Sequence, residues 1–100
     1  MRIRVYDLQI DDWNADEAAR HGVAEAEMRQ VLDGEPVFLR NKKGRQAPAI
    51  MIGPTFGGRL LTVPLSPTGV EEVWRPTTAW DSSKDERARY DAARTGRPTR

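Results

Sequence analysis

One hundred residues, 38% hydrophobic and 31% charged, fit one globular domain with a single core and leave no room for a second. No apolar run approaches the roughly 20 residues that cross a bilayer, so no membrane association is expected. A net charge of +1 argues against a protein coated in one sign of charge, and the lack of cysteine excludes disulfides and thiolate metal sites, which makes a cytoplasmic location the expectation.

The opening "IRVYDLQI" alternates apolar and polar residues as a strand does, and it soon turns acidic, unlike the apolar core of a secretory signal peptide. "DDWNADEAARHGV" predicts a short helix, capped by Asp11, Asp12 or Asn14 and ended by Gly22. "AEAEMRQVLDGEP" predicts a second helix with Val23, Met28, Val31 and Leu32 on one side, stopped by Gly34 and Pro36. Four strands follow: "PVFLRN", "PAIMIGPT", "RLLTVPLS" and "VEEVWRPTTAW", separated by turns at "KKGRQA", "FGG" and "SPTG". Pro64 and Pro76 are expected at an edge or a bulge. "SSKDERARYDAAR" closes with a helix capped at Ser82 or Ser83, and a disordered tail is expected over residues 96–100. The fold class is thus α+β over residues 1–95: two N-terminal helices and a C-terminal helix forming one layer on a curved antiparallel sheet of about four strands.

No nucleophile signature is present, and His21 stands alone just before Gly22, where capping a helix end explains it. The acids at 11, 12, 16 and 17 suit a helix start, and nothing in their spacing asks for a metal or cofactor. The charge distribution is more telling. Residues 1–39 hold nine acids (Asp7, Asp11, Asp12, Asp16, Glu17, Glu25, Glu27, Asp33, Glu35), whereas residues 40–59 hold Arg40, Lys42, Lys43, Arg45 and Arg59 and no acid. Any anion-binding surface is expected there, and the alternative is a solvated hairpin. Arg75, set between Trp74 and Pro76, is expected either to point beside Arg59 from a neighbouring strand toward a phosphate or to pair with Glu72, Asp85 or Glu86. Trp74, Trp80, Phe56 and Tyr90 are either stacking platforms for bases or, for the two tryptophans above all, core anchors.

"WNADEAARHGVAEAEMRQVL", "IGPTFGGRLLTV" and "VWRPTTAWDSSKDERARY", in that order, resemble the BrnT toxins of bacterial type II toxin-antitoxin systems over about residues 8–90. The resemblance implies a compact RelE-like fold, a metal-independent ribonuclease acting on RNA, and a ribbon-helix-helix antitoxin that binds DNA. It also implies that Arg59 and Arg75 stabilise the scissile phosphate, with Arg45 assisting, and it sets Glu86, Arg87 and Tyr90 on the matching C-terminal helix; together with Arg40, Lys42 and Lys43 of the acid-free stretch and Lys84, these are the expected substrate-binding residues. "VAEAE", Pro54 and the tryptophan-rich "WRPTTAW" depart from the family pattern. A non-catalytic module that uses the same fold to bind nucleic acid or a protein is the competing expectation.

Overall fold

A computed structural model describes residues 3–96, so residues 97–100 of the expected tail lie outside the described residues, and Gly96 is the left-handed residue that ends the last helix. The elements run β1 (Asp7–Leu8), α1 (Asp12–Ala19), α2 (Glu25–Asp33), β2 (Val37–Arg40), β3 (Ala49–Pro54), β4 (Leu60–Pro67), β5 (Val73–Pro76), β6 (Trp80–Asp81) and α3 (Lys84–Thr95). Two of the helices begin at reciprocal caps. At α1, Asp11 Oδ1 accepts from the Asn14 N–H at 2.9 Å and Asn14 Oδ1 accepts from the Asp11 N–H at 2.7 Å. At α3, Ser83 Oγ accepts from the Glu86 N–H at 3.1 Å and Glu86 Oε1 accepts from the Ser83 N–H at 2.8 Å. Each box satisfies donors that a helix start otherwise leaves unpaired.

The α+β class is as expected, but the sheet is larger and mixed. Its order is β1-β5-β4-β3-β2, with β6 added along β4, six strands among the described residues. The central ladder is antiparallel, while β1 runs parallel to β5 through Asp7↔Val73 and Leu8↔Trp74. The segment expected as one fourth strand divides after Pro76. Leu65–Pro67 of β4 pairs with β5, and Leu61–Thr62 pairs with β6. Proline offers no N–H to continue a ladder, and the next donor, the Thr77 N–H, goes to the Pro64 carbonyl at 3.0 Å.

The helices also form two layers instead of the expected one. Ala49 and Met51 of β3 join Leu61, Val63, Ala18, Met28 and Val31 on the α1/α2 face. Ile50 and Ile52 join Leu60 and Tyr90 on the face that α3 covers. The unbroken apolar run "AIMI" follows directly, because a strand buried on both faces has no solvent side to make polar. On the first face α2 comes so close that a Cβ at Gly53 would lie 3.0 Å from both Pro36 Cα and Val31 Cγ1. Glycine is what permits that approach. On the other face α3 packs chiefly on β2 and β3, and the sheet beside it opens into a cleft.

Candidate functional site

The cleft has a volume of about 370 Å³. Ile50 of β3 and Pro64 of β4 form its floor. One wall is the loop from Asn41 to Ala47, and the facing wall is the first turns of α3 with Ser83, Glu86 and Arg89. The divided fourth strand closes one end with Thr77, Thr78 and Trp80.

The loop is shaped by Asn41. Its Nδ2 donates to the Ala47 carbonyl at 2.8 Å, its Oδ1 accepts from the Lys42 N–H at 2.8 Å, and its own N–H reaches the Pro48 carbonyl at 2.9 Å. Gly44, with φ of +84°, provides the left-handed residue the reversal needs. Lys42 and Arg45 therefore stand on a loop closed by hydrogen bonds at its base. Arg89 joins them from α3, where its Nη2 donates to the Arg40 carbonyl at 3.0 Å and links helix to loop. No ion pair within the described residues involves Lys42, Arg45 or Arg89.

Glu86 lines the same cleft. Its Oε1 accepts from Thr62 Oγ1 at 3.0 Å, Trp80 Nε1 at 3.0 Å and the Ser83 N–H at 2.8 Å. Burial pushes the carboxyl up, but the donors from Ser83, Trp80 and Thr62 outweigh it and hold Glu86 below the ordinary carboxylate range. It is an anion at neutral pH. Oε2 receives no hydrogen bond from the described residues. With Asp85 also at the rim, three cations meet two carboxylates, which suits a ligand that carries both a phosphate and a hydroxyl group to donate.

The structure separates the arginines that the sequence invites one to place together. Arg75 sits opposite Ser66 near the end of β4, whereas Arg59 precedes its start. Seven residues of extended chain put them about 23 Å apart along the strand direction. Both are also engaged. Arg59 Nε and Nη2 clasp Asp81 at 2.6 and 3.1 Å, and Nη1 reaches the Gly22 carbonyl at 2.8 Å and Glu27 at 3.2 Å. Asp81 raises the Arg59 guanidinium further above its ordinary value, and Arg59 holds Asp81 below the carboxylate range. Arg75 pairs with Asp11 at 3.3 Å, none of the acids weighed from the sequence, and lies 5.6 Å from the Trp13 ring centroid with its Nε–H buried and without an acceptor.

Of the remaining candidates, Arg45, Lys42 and Glu86 line the cleft. Arg40 does not line the cleft and only accepts from Arg89 through its backbone carbonyl, and the exposed side chains of Lys43, Lys84 and Arg87 are not part of the cleft lining either. Tyr90 is 6% exposed, packed among Ile50, Ile52 and Leu60 with its hydroxyl donating to the Glu35 carbonyl at 3.4 Å, so its ring is a core element and not an open stacking surface. Trp74 packs against the main core and donates to the Arg4 carbonyl at 2.9 Å. Phe56 is exposed on the turn before β4, away from the cleft lining, and the His21 ring meets the Trp80 ring edge-on with centroids 6.3 Å apart. Asn41, Gln46 and Arg89 are cleft residues absent from the sequence candidates. The i, i+3 spacing of Glu86 and Arg89 on one helix was the available signal for the last. Among the described residues no three His, Asp or Glu side chains gather to hold a metal ion, and no helix is long and apolar enough to cross a membrane.

No family model, curated protein or solved structure matches this chain.

Proposed function

We propose that the chain is a RelE-like, BrnT-type ribonuclease toxin that binds single-stranded RNA in the cleft between the Asn41–Ala47 loop and α3. The observation that carries this reading is the convergence of Lys42, Arg45 and Arg89, free of acidic partners, on a cleft that also holds the ionised Glu86. Cations placed where a phosphorane develops charge stabilise it without a metal. The RNA 2′-oxygen attacks the adjacent phosphorus, a new P–O2′ bond forms, and the P–O5′ bond breaks. Glu86 Oε2 accepts the 2′-hydroxyl proton, and the departing 5′-oxygen takes a proton from water. The products are a 2′,3′-cyclic phosphate and a 5′-hydroxyl. In this reading Arg59 and Arg75 support the scaffold, and a ribbon-helix-helix antitoxin is the partner that the resemblance supplies.

The test is incubation of purified protein with single-stranded RNA in the presence of a chelator, with product ends identified by mass spectrometry. Cyclic phosphate ends from the parent, and at least tenfold slower cleavage by Arg45→Ala, are expected. Intact RNA would remove the catalytic part. A second reading, a nucleic-acid-binding module without turnover, is favoured by one feature: three donors on Glu86 Oε1 make the carboxylate a weak base, and His21 does not line the cleft.

A further inference from the structure

The cleft is small, and its size restricts what RNA can present to it. At about 370 Å³ it lies at the low end of the ~300–1,000 Å³ range of small-ligand sites, enough for one nucleotide and too little for two stacked ones. Its floor is apolar, Ile50 and Pro64, with Ala47 beside them, while charge is confined to the walls. A base is a flat, weakly polar group that suits such a floor once it has left its stack. Paired or stacked bases cannot enter, because their faces and edges are already occupied.

From this we infer that the cleft is a pocket for one unstacked ribonucleotide carrying a 3′-phosphate, whose base is read by Gln46; the inference rests on the RNA-binding reading above. The base lies on Ile50 and Pro64. Its phosphate meets Lys42, Arg45 and Arg89, and its 2′-hydroxyl donates to Glu86 Oε2, the carboxylate oxygen without a protein donor. That last bond selects ribose over deoxyribose. Gln46 is exposed, lines the cleft and has no hydrogen bond to another described residue from its side-chain amide. A free amide offers one acceptor and two donors, enough to distinguish one base edge from another. Thr78, another polar side chain of the cleft, already donates to the Glu17 carbonyl at 3.3 Å.

The experiment measures binding of the four ribonucleoside 3′-monophosphates, their 2′-deoxy counterparts and inorganic phosphate to the parent protein by calorimetry or NMR titration. One ribonucleotide is expected to bind about tenfold more tightly than both its deoxy counterpart and inorganic phosphate. Gln46→Ala should bring the four bases within about twofold of one another without weakening inorganic phosphate. Glu86→Gln, which keeps an acceptor for the Ser83 cap, should erase the ribose preference, with its folding checked by its melting curve. Equal affinity for all four nucleotides and for phosphate would overturn the pocket, as would equally effective competition by duplex RNA. The two readings fail separately: RNA cut by a parent that binds no mononucleotide refutes the pocket alone. Mononucleotides bound as described by a protein that leaves RNA intact support the pocket and refute cleavage.

Discussion

Replacing Thr62 by valine isolates the polar junction beneath the cleft. Thr62 is fully buried on β4, with Oγ1 2.9 Å from Ser82 Oγ and 3.0 Å from Glu86 Oε1. Since the threonine proton goes to the carboxylate, the serine must donate to the threonine. Valine fills the same space but strands the buried Ser82 hydroxyl and removes one donor from Glu86. A bond between neutral groups contributes ~0.5–1.5 kcal/mol and one to a charged group ~1.5–3 kcal/mol. The second is discounted, because Glu86 is partly solvated and water replaces the lost donor. The net loss is about 2 kcal/mol at pH 7, or a fall in melting temperature of about 8–16 °C for a domain of this size.

The loss should depend on pH. The Glu86 carboxyl in the folded chain lies below its ordinary value of 4.5, so its contribution is complete above that value and disappears as pH falls through the lower folded value. Urea unfolding of parent and variant at pH 7 and again near pH 3, below the ordinary glutamate range, compares the full contribution with one already diminished. The penalty should shrink at acid pH toward the neutral bond alone, about 1 kcal/mol. A penalty that is equal at both pH values would refute the assignment of Thr62 as a donor to an ionised Glu86, and no penalty at pH 7 would refute the junction itself.

Gly53→Ala should destabilise the fold by about 1–2 kcal/mol despite alanine's lower unfolded-state entropy, because its methyl meets Pro36 and Val31; thermal melting of the variant checks this, and the double variant with Val31→Ala should be destabilised by less than the sum of the two single costs. Arg59→Ala should speed amide hydrogen exchange at residues 21–24 before any other segment, since the guanidinium holds the Gly22 carbonyl and Glu27 to Asp81. Arg45→Ala should reduce RNA affinity at least tenfold while Arg75→Ala stays within about twofold of the parent, as filter binding would show. With Lys42, Arg45 and Arg89 gathered on one phosphate, log K should fall with log salt at a slope of roughly −0.7 for a single strand; a slope near zero would exclude these contacts.

Local signals in the chain were reliable where one residue settles one backbone group. Asp11 with Asn14, Ser83 with Glu86, and Gly34 ahead of Pro36 mark helix boundaries because capping and chain breaking act within four residues. The acid-free stretch 40–59 likewise pointed to Lys42 and Arg45. What depends on register was not legible. That β4 and β5 are neighbours says nothing about which of their residues face one another, and the eight-residue length of β4 places Arg59 and Arg75 at opposite ends. Asp11 as the partner of Arg75 follows from the parallel docking of β1 beside β5, a contact between segments more than sixty residues apart. "AIMI" did carry evidence of burial on both faces, but a short apolar run fits a single buried layer equally well until the position of α3 is known.

Pro64 and the link from Thr77 to Ala79 have one more consequence. They lie where β4 exchanges one partner strand for the other, and Pro64, Thr77 and Thr78 also border the cleft. The opening of the cleft is thus fixed by how many residues the chain takes to pass from Pro76 to Trp80, while its charges come from a hairpin loop and a helix elsewhere. Width and polarity can drift independently over generations: lengthening or shortening that link would admit larger or smaller guests with every cation left in place.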